Sequence, residues 1–377
     1  MIALTAAVAG LTAMVITAAS IPLTRLIARR VDMLDRPVGH RQHGRAIPLL
    51  GGTAVLLGVG LPTLAAILLT GIWAARGAPA WLPGELTIHL PGAAAKANQA
   101  LGILSGALAL HILGIIDDCR PLGAAPKLAV QFAVAMLVVL ACDVRVLMLA
   151  GPAISIPLTV LWIVAITNAF NFLDNMDGLL VGVAAICCAA LLATAAQTGQ
   201  VFVAIWLCII LGALVGFWPY NFPSASTFMG DAGSLVVGYM LAVATCLTTY
   251  VQPGRIGVAA GLFVPIVLMA VPIYDMLSVI FLRFCRGLNP LAGDRRHFSH
   301  RLVQRGLSPT AAVLTIYLCT AGTAIAASLL PHTDEIGAWL VGVQTVLILM
   351  IIALLESGGQ PDTEPSVPSC HEPPFQP

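Results

Sequence analysis

The sequence has 377 residues, of which 59% are hydrophobic and only 9% are charged, and its mean hydropathy is +0.96. Soluble domains carry roughly 25% charged residues, so this composition excludes an ordinary soluble protein and a disordered chain. The formal net charge of +1 excludes a basic nucleic-acid-binding protein. Nine cysteines in a chain this long, most of them within apolar runs, indicate small core residues rather than a disulfide framework. The composition is typical of a multi-pass membrane protein.

The apolar runs divide the chain into membrane spans. A spanning helix needs about 20 apolar residues, and the charges and the Pro, Gly and Asn clusters between the runs predict eleven of them. These spans are approximately 3–27, 49–74, 99–116, 127–142, 157–172, 179–197, 201–217, 234–250, 257–282, 308–330 and 337–355. The sequence therefore predicts an all-α integral membrane protein with one membrane domain over residues 1–355. The Pro-rich segment 356–377 is predicted to be a disordered cytoplasmic tail.

Lys and Arg residues are distributed unequally between the loops on the two sides. Thirteen of the 18 lie in one set of loops, four lie in the opposite set, and Arg25 lies at the end of the first predicted span. Because positive residues are retained on the cytoplasmic side of a membrane, the larger group marks the cytoplasmic loops. The distribution predicts an N-terminus outside the cell and a C-terminus in the cytoplasm.

Six acidic residues in recognisable motifs lie at the cytoplasmic ends of predicted spans or in the cytoplasmic loops. These loops cover about residues 28–48, 117–126, 173–178, 218–233 and 283–307. The six acids are Asp117, Asp118, Asp174, Asp177, Asp231 and Asp294. In an ion-coupled transporter, the acids more often lie near the middle of the membrane, on broken helices of two related halves. The one-sided placement disfavours a transporter, which is the main alternative, and a non-catalytic scaffold would not need six acids on one side.

Asp117 and Asp118 emerge together from the end of the third predicted span, and Lys127 follows ten residues after Asp117. Adjacent carboxylates repel each other unless a cation or a proton lies between them. A divalent metal ion with a phosphorylated substrate would supply that cation, and Lys127 would pair with a phosphate. The structural alternative is a solvated pair of carboxylates beside a lysine that reaches the membrane surface.

The segment NAFNFLDNMDGL, residues 168–179, joins the fifth and sixth predicted spans. Four of its polar residues recur at intervals of three, which places them along one face if the segment is helical. They are Asn168, Asn171, Asp174 and Asp177. Oxygen donors of this kind suit Mg²⁺ or Mn²⁺ rather than Zn²⁺. The alternative is a helix-turn-helix in which the Asn and Asp side chains bind backbone groups.

Asp231 lies between glycines in the segment FMGDAGS, just before the eighth predicted span. Glycine allows the backbone to approach a phosphate closely, and the start of a helix presents free N–H groups to an anion. Asp-Ala-Gly-Ser also fits an ordinary helix N-cap, which is the alternative interpretation. Asp231 is therefore a candidate ligand only in combination with the other motifs.

The last large cytoplasmic loop, GLNPLAGDRRHFSHRLVQRG, contains His297 and His300 among a group of arginines. Such a loop binds anionic groups, or it serves only as a positive anchor on the cytoplasmic side. Four metal-binding or phosphate-binding patterns on one side of the membrane favour one shared site over four unrelated structural features. Two further polar residues within predicted spans, Asp275 and His111, are functional candidates because of that position, although interior structural hydrogen bonds are favoured for both.

In order and spacing, these motifs resemble those of the polyprenyl-phosphate N-acetylhexosamine-1-phosphate transferases, the membrane family that contains bacterial MraY, WecA and TagO. The similarity spans about residues 30–310. Its segments are LDRPVGHRQHGRAIPLLGG, DDCRPLGAAPKLAVQ, NAFNFLDNMDGL, FMGDAGS, PIYD and DRRHFSHRL. The Ile47-Pro48 and Gly51-Gly52 pattern and the H-x-S-H-R-L loop resemble the WecA/TagO branch, whose donor is usually UDP-GlcNAc. His40 and Ser299 stand where relatives often have Arg and His, in loops expected to contact the donor.

The resemblance implies the reaction and its partners. Such enzymes transfer a sugar 1-phosphate from a UDP-sugar to undecaprenyl phosphate, release UMP and use Mg²⁺ or Mn²⁺. The implied location is the bacterial inner membrane, with the active site at the cytoplasmic face. The implied partners are a UDP-N-acetylhexosamine, undecaprenyl phosphate and the lipid bilayer, without nucleic acid, and a homodimer stays open. The product would begin the synthesis of a cell-surface polysaccharide such as O-antigen lipopolysaccharide or a cell-wall teichoic acid.

The resemblance also implies a role for each candidate residue. Asn171 and Asp231 would hold the metal ion, and Asp117 and Asp118 would lie beside the phosphates, as a candidate base and a metal-linked carboxylate. Lys127 would neutralise the diphosphate, and His297, His300 and Arg301 would reach the sugar or the diphosphate. The donor pocket would consist of Asp174, Asn175, Met176, Asp177, Asn221 and Phe228, with Phe228 stacked on uracil. Direct transfer is favoured over an Asp-linked intermediate, because a second anionic phosphate needs neutralising more than deprotonating.

Overall fold

The computed structural model describes residues 1–36, 46–250, 261–288 and 297–357, and these residues are predominantly helical. The helices are α1 (Ile2–Arg30), α2 (Gly51–Arg76), α3 (Gly84–Thr87), α4 (Leu90–Ala95), α5 (Ala97–Cys119), α6 (Ala124–Ala141), α7 (Pro152–Leu173), α8 (Leu179–Gln197), α9 (Val201–Asn221), α10 (Asp231–Leu247), α11 (Val264–Leu268), α12 (Ala270–Cys285), α13 (Phe298–Gln304), α14 (Pro309–Leu329) and α15 (Glu335–Ser357). Single 3₁₀ turns occur at Met148–Ala150 and Leu330–His332. The predicted all-α membrane class is confirmed.

Nine helices in the described ranges are long and apolar enough to cross a membrane. They match nine of the predicted spans and are α1, α2, α5, α6, α7, α8, α9, α14 and α15. The predicted span 234–250 corresponds to the shorter α10, and the span 257–282 corresponds to α11 and α12, although residues 251–260 lie outside the described part. The count of eleven crossings and their orientation stay predictions. Most of the predicted tail, residues 358–377, also lies outside the described part.

The ninth predicted span is broken at Met269, between α11 and α12. Pro272 is the third residue of α12 and has no N–H to donate to the carbonyl group of Leu268. Its ring would also clash with that carbonyl in a continuous helix, whereas the first turn of a new helix tolerates proline. The backbone therefore restarts at Ala270.

Helix α10 lies at the centre of the bundle. Its residues from Ala232 to Thr245 are all buried, and it contacts α2, α5, α7, α8 and α9. By contrast, only 17% of the residues in the most apolar part of α15 are buried, as expected for a helix that faces lipid. The central position of α10 fixes its first residue, Asp231, among the ends of its neighbours.

Strands β1 (Leu34–Asp35) and β2 (Ile47–Pro48) pair antiparallel. The end of β2 and the start of α2 are hydrogen-bonded to the segment before α10. The Phe228 N–H donates to the Pro48 carbonyl oxygen at 2.9 Å, and the Gly51 N–H donates to the Phe228 carbonyl oxygen at 3.0 Å. These backbone bonds link two motifs that are about 180 residues apart in the sequence. Residues 37–45, which include His40, lie outside the described residues.

Helix α5 approaches the start of α10 through Gly114. A Cβ atom at Gly114 would overlap the backbone atoms of Asp231 and Ala232. We expect Gly114→Ala to destabilise the protein by about 2 kcal/mol, because overpacking of a rigid backbone contact forces the helices apart. The matched control is Gly60→Ala in α2, where a Cβ would meet no atom within 4 Å, so the higher helix propensity of Ala should leave stability unchanged or raise it. Thermal unfolding in detergent measures both, and equal melting temperatures for the two variants would contradict the packing argument.

Candidate active site

The carboxyl ends of α5, α7 and α9 and the amino ends of α6, α8 and α10 meet at one end of the bundle. Lys127 in α6 joins two of these helices, because its Nζ atom lies 2.7 Å from Asp117 Oδ2 and 2.6 Å from Asp231 Oδ2. The Leu122 N–H donates to the other oxygen of Asp117 at 2.6 Å. The side chains of Lys127, Asp117 and Asp231 are 16%, 12% and 28% exposed. One ammonium group thus binds two carboxylates at a site that is partly exposed to solvent.

Asp118 has a different partner from its neighbour Asp117. Its Oδ1 atom accepts a hydrogen bond from the Asp231 N–H at 2.9 Å, and its Oδ2 atom accepts one from the Ala232 N–H at 3.1 Å. A carboxylate at this position stabilises the free N–H groups and the positive end of the α10 dipole. Asp118 therefore holds the start of α10, and with it Asp231, in place.

Asn171 lies beside Asp231 on the end of α7. Its Nδ2 group donates to Asp231 Oδ1 at 2.9 Å and to Ser234 Oγ at 2.8 Å. The Asn171 Oδ1 atom has no hydrogen-bond partner among the described residues, and amide and carboxylate oxygens are the donors that Mg²⁺ prefers. The pair fits a divalent cation by its chemistry, although the described residues contain no group of three or more His, Cys, Asp or Glu side chains arranged around a metal.

The prediction that Asn168, Asn171, Asp174 and Asp177 share one helical face is wrong. Helix α7 ends at Leu173, so only Asn168 and Asn171 lie on it. Asn168 hydrogen-bonds to Gln131 of α6, and Asp177 Oδ2 accepts the Ala225 N–H at 2.8 Å. The chain turns here because Asp and Asn side chains compete for backbone groups and Gly178 adopts φ +73°. The helix-turn-helix alternative describes this segment better.

Asp174 immediately follows α7, and its N–H donates to the Asn171 carbonyl oxygen. Burial raises the pKa of the Asp174 carboxyl to about 8, and the like charges of Asp231, Asp118 and Asp177 add to this increase. At pH 7 the group is therefore mostly protonated, so that it adds little negative charge to a region that already contains several carboxylates.

Three of the predicted donor-pocket residues are held by defined contacts. Asn175 Oδ1 accepts the Ser299 hydroxyl at 2.6 Å, and Met176 packs against the core. Asn221 is buried, and its amide binds the Gly178 N–H and the Thr227 carbonyl oxygen, both at 3.0 Å. Both polar groups of Asn221 are therefore occupied by the backbone. Phe228 is partly exposed, next to the segment that leads into α10.

The last motif forms the short helix α13, which packs against the end of α15. The Arg301 Nε and Nη2 atoms lie 3.1 and 2.8 Å from Glu356 Oε2, and the Tyr274 hydroxyl donates to Glu356 Oε1 at 2.7 Å. His300 is partly buried on the same helix. The structure thus brings Arg301 to Glu356, whereas its predicted contact with the donor stays untested. Asp294, Arg295 and Arg296 lie outside the described residues.

Sequence reasoning did not find Glu356 or the pairing of Gln131 with Asn168. The signal for Glu356 was an acid directly after the last predicted span, at the end that the arginine-rich loop was predicted to share. The expectation of interior hydrogen bonds is confirmed for His111, whose ring nitrogens lie 2.9 Å from the Ala232 carbonyl oxygen and 3.2 Å from Thr53 Oγ1. It is also confirmed for Asp275, which contacts His297.

The helices and the group of carboxylates, a lysine and an asparagine at one end of them define a multi-pass membrane protein with one polar site. Residues 100–249 match the family model described as Glycosyl transferase family 4. The chain is 31% identical over 317 residues to a probable undecaprenyl-phosphate N-acetylglucosaminyl 1-phosphate transferase of Bacillus subtilis, covering 82% of this chain and 79% of that protein. It is 33% identical to a decaprenyl-phosphate N-acetylglucosaminephosphotransferase of Mycolicibacterium smegmatis, covering 95% and 91%. An undecaprenyl-phosphate alpha-N-acetylglucosaminyl 1-phosphate transferase of Escherichia coli O157:H7 is 25% identical, over 89% and 85%. The chain belongs to this family of polyprenyl-phosphate N-acetylglucosamine-1-phosphate transferases.

Proposed function

We propose that this protein transfers N-acetylglucosamine 1-phosphate from UDP-GlcNAc to undecaprenyl phosphate and releases UMP. The observation that carries the proposal is the hydrogen-bonded group of Asp117, Lys127, Asp231 and Asn171 in a chain homologous to such transferases. In the reaction, an oxygen of the lipid phosphate forms a bond to the sugar-bearing phosphorus of the donor. The bond from that phosphorus to the bridging oxygen breaks, and UMP leaves with the electron pair.

The residues of the cluster act in this reaction by positioning and by neutralising charge. Asn171 and Asp231 would hold a divalent cation, Mg²⁺ or Mn²⁺, whose charge would offset that of the donor diphosphate. Lys127 places a positive charge beside the same carboxylate and binds a phosphate oxygen there. Asp118 fixes the start of α10 through its two backbone hydrogen bonds. A dedicated base is not required, because a lipid phosphate is already anionic near neutral pH.

We assign the donor pocket to the turn after α7 and to the segment before α10. Asp174, Asn175, Met176 and Asp177 would surround the uridine group, and Phe228 would stack on uracil. Asn221 supports this pocket from behind, because its amide binds two backbone groups of the surrounding turns. His297 and His300 would approach the diphosphate or the sugar from the last loop.

The reaction can be tested with the purified protein in detergent. Radiolabelled UDP-GlcNAc, undecaprenyl phosphate and Mg²⁺ should give a lipid-linked sugar and an equal amount of UMP, and a chelator should stop the reaction. UDP-GalNAc and decaprenyl phosphate serve as the alternative donor and acceptor. A transporter would take up the donor into vesicles without cleaving it. Absence of lipid-linked product with every UDP-N-acetylhexosamine would refute the proposed function.

We further propose that the site faces the cytoplasm of a bacterium, at the inner membrane, because most Lys and Arg residues belong to the loops at this end. Cys119 and Cys285 are exposed at the same end, at the last residues of α5 and α12. In a Cys370→Ser background, a membrane-impermeant maleimide should label inverted vesicles but not intact cells. A variant that also carries Cys119→Ser and Cys285→Ser gives the background signal. Labelling of intact cells above that background would contradict the orientation.

A further inference from the structure

Asp275 lies within α12, where its side chain is completely buried. Its Oδ2 atom lies 2.9 Å from His297 Nδ1, and its Oδ1 atom accepts the Phe298 N–H at 3.1 Å. A buried carboxylate is costly unless its oxygens accept hydrogen bonds, and both oxygens have partners here. Asp275 therefore connects α12 to the start of α13, across an interval of 22 residues.

The contact with Asp275 assigns one proton of the His297 ring to Nδ1. A carboxylate accepts hydrogen bonds, so Nδ1 carries the proton and Nε2 is the remaining nitrogen. Nε2 has no hydrogen-bond partner within the described ranges, and about 8% of the side chain is exposed. The ring also contacts Phe172 edge-on, with centroids 5.6 Å apart, so its plane is fixed from two directions.

The fixed ring lies beside the candidate active site. Phe172 directly follows Asn171 in the sequence, and Ser299, two residues after His297, binds Asn175 at 2.6 Å. Both contacts dock the start of α13 on the segment that follows Asn171. His297 thus lies beside the end of α7 and the turn that follows it, while its Nδ1 atom is held by Asp275 inside the bundle.

We propose that Asp275 is a positioning residue for the transfer reaction, which acts by holding the His297 ring so that Nε2 faces the donor. This inference rests on the proposed function. It assigns a role to Asp275, a buried acid that does not belong to the cluster of Asp117, Lys127 and Asp231. If Asp275 had a purely structural role, the same two hydrogen bonds would only hold α13 in place and would not affect the reaction.

A double-mutant cycle on the full-length protein separates the two roles. Asp275→Asn, His297→Gln and the double variant are compared with the wild type for kcat of UMP release and for melting temperature. We expect Asp275→Asn to lower kcat by about 10- to 100-fold, as when the carboxylate behind a functional histidine is removed. In the His297→Gln background, the same change should alter kcat by less than about twofold, because its effect passes through the ring. Tyr239→Phe, which removes another buried hydrogen bond, is the control and should leave kcat unchanged.

Independent effects that multiply in the double variant would overturn the proposal, and so would a lower melting temperature of Asp275→Asn with kcat unchanged. If His297→Gln forms no measurable product, the cycle is measured instead by the rise in melting temperature that UDP-GlcNAc causes in each variant. Asp275→Asn should reduce that rise in the wild-type background and not in the His297→Gln background, and a reduction of equal size in both would overturn the proposal. Failure of the wild type to release UMP would refute the proposed function instead, and the same binding cycle would then still test the link between Asp275 and the ring.

Discussion

Replacement of Asp231 by Asn is expected to lower GlcNAc-1-phosphate transfer by at least about 1,000-fold. Asn has nearly the same shape and retains one acceptor oxygen, but it removes the negative charge next to Asn171 and Lys127. The proposed divalent cation would lose its carboxylate ligand, so the Mg²⁺ concentration for half-maximal activity should rise. The protein should still fold, because Lys127 keeps Asp117 as a partner.

The measurement for Asp231→Asn is product formation per folded protein, with thermal unfolding as the check on the fold. Asp143→Asn is the matched control, since Asp143 is 63% exposed in its pair with Arg145, beyond the other end of α6. This control should retain full activity. Activity of Asp231→Asn within about tenfold of the wild type would refute its role in the transfer.

Lys127→Met should also inactivate the protein, by about 100- to 1,000-fold, but with the opposite effect on the metal. Met is similar in length and has no charge, so Asp117 and Asp231 would lie next to each other without the ammonium group that binds both of them. Two uncompensated carboxylates attract a divalent cation more strongly. The half-maximal Mg²⁺ concentration should therefore fall, whereas the phosphate-binding charge needed for transfer is missing.

Residual activity as a function of Mg²⁺ concentration tests this contrast between the two variants. Lys96→Met, a change of an exposed lysine at the start of α5, is the control and should behave like the wild type. We propose that Asp231 binds the cation and that Lys127 competes with it. A shift of the half-maximal Mg²⁺ concentration in the same direction for Asp231→Asn and Lys127→Met would contradict this proposal.

The helices could largely be predicted from the sequence because hydropathy reports length and burial directly. The break before α12 could not, because apolar residues continue through Met269 and only the position of Pro272 marks the change in the backbone. The end of α7 is predicted to within one residue, since the predicted span ends at 172 and the helix ends at Leu173. The sequence does not show that Asp177 binds the Ala225 N–H, 48 residues along the chain. Hydropathy carries no information on such contacts.

The site residues could be assigned to one side of the membrane, but their partners could not. Lys127 was expected to meet a phosphate and contacts two carboxylates. Asp118, expected beside the phosphates, caps a helix that begins 113 residues later. Such pairs depend on which helices are neighbours in the bundle, and α10 acquires its neighbours only on folding. The charges identified the region of the site, whereas packing decided what each group does within it.

The contact of Glu356 with Arg301 matters for the way in which the protein is prepared. The Glu356 backbone carbonyl oxygen also accepts hydrogen bonds from Arg305, at 3.2 and 3.0 Å, so the end of α15 supports α13 through one side-chain group and one backbone group. A chain cut after Ser357 would carry its terminal carboxylate one residue from Glu356, where it would compete for the same two arginines. A shortened chain should therefore keep residues after Ser357, so that its terminal carboxylate is farther along the chain from Glu356.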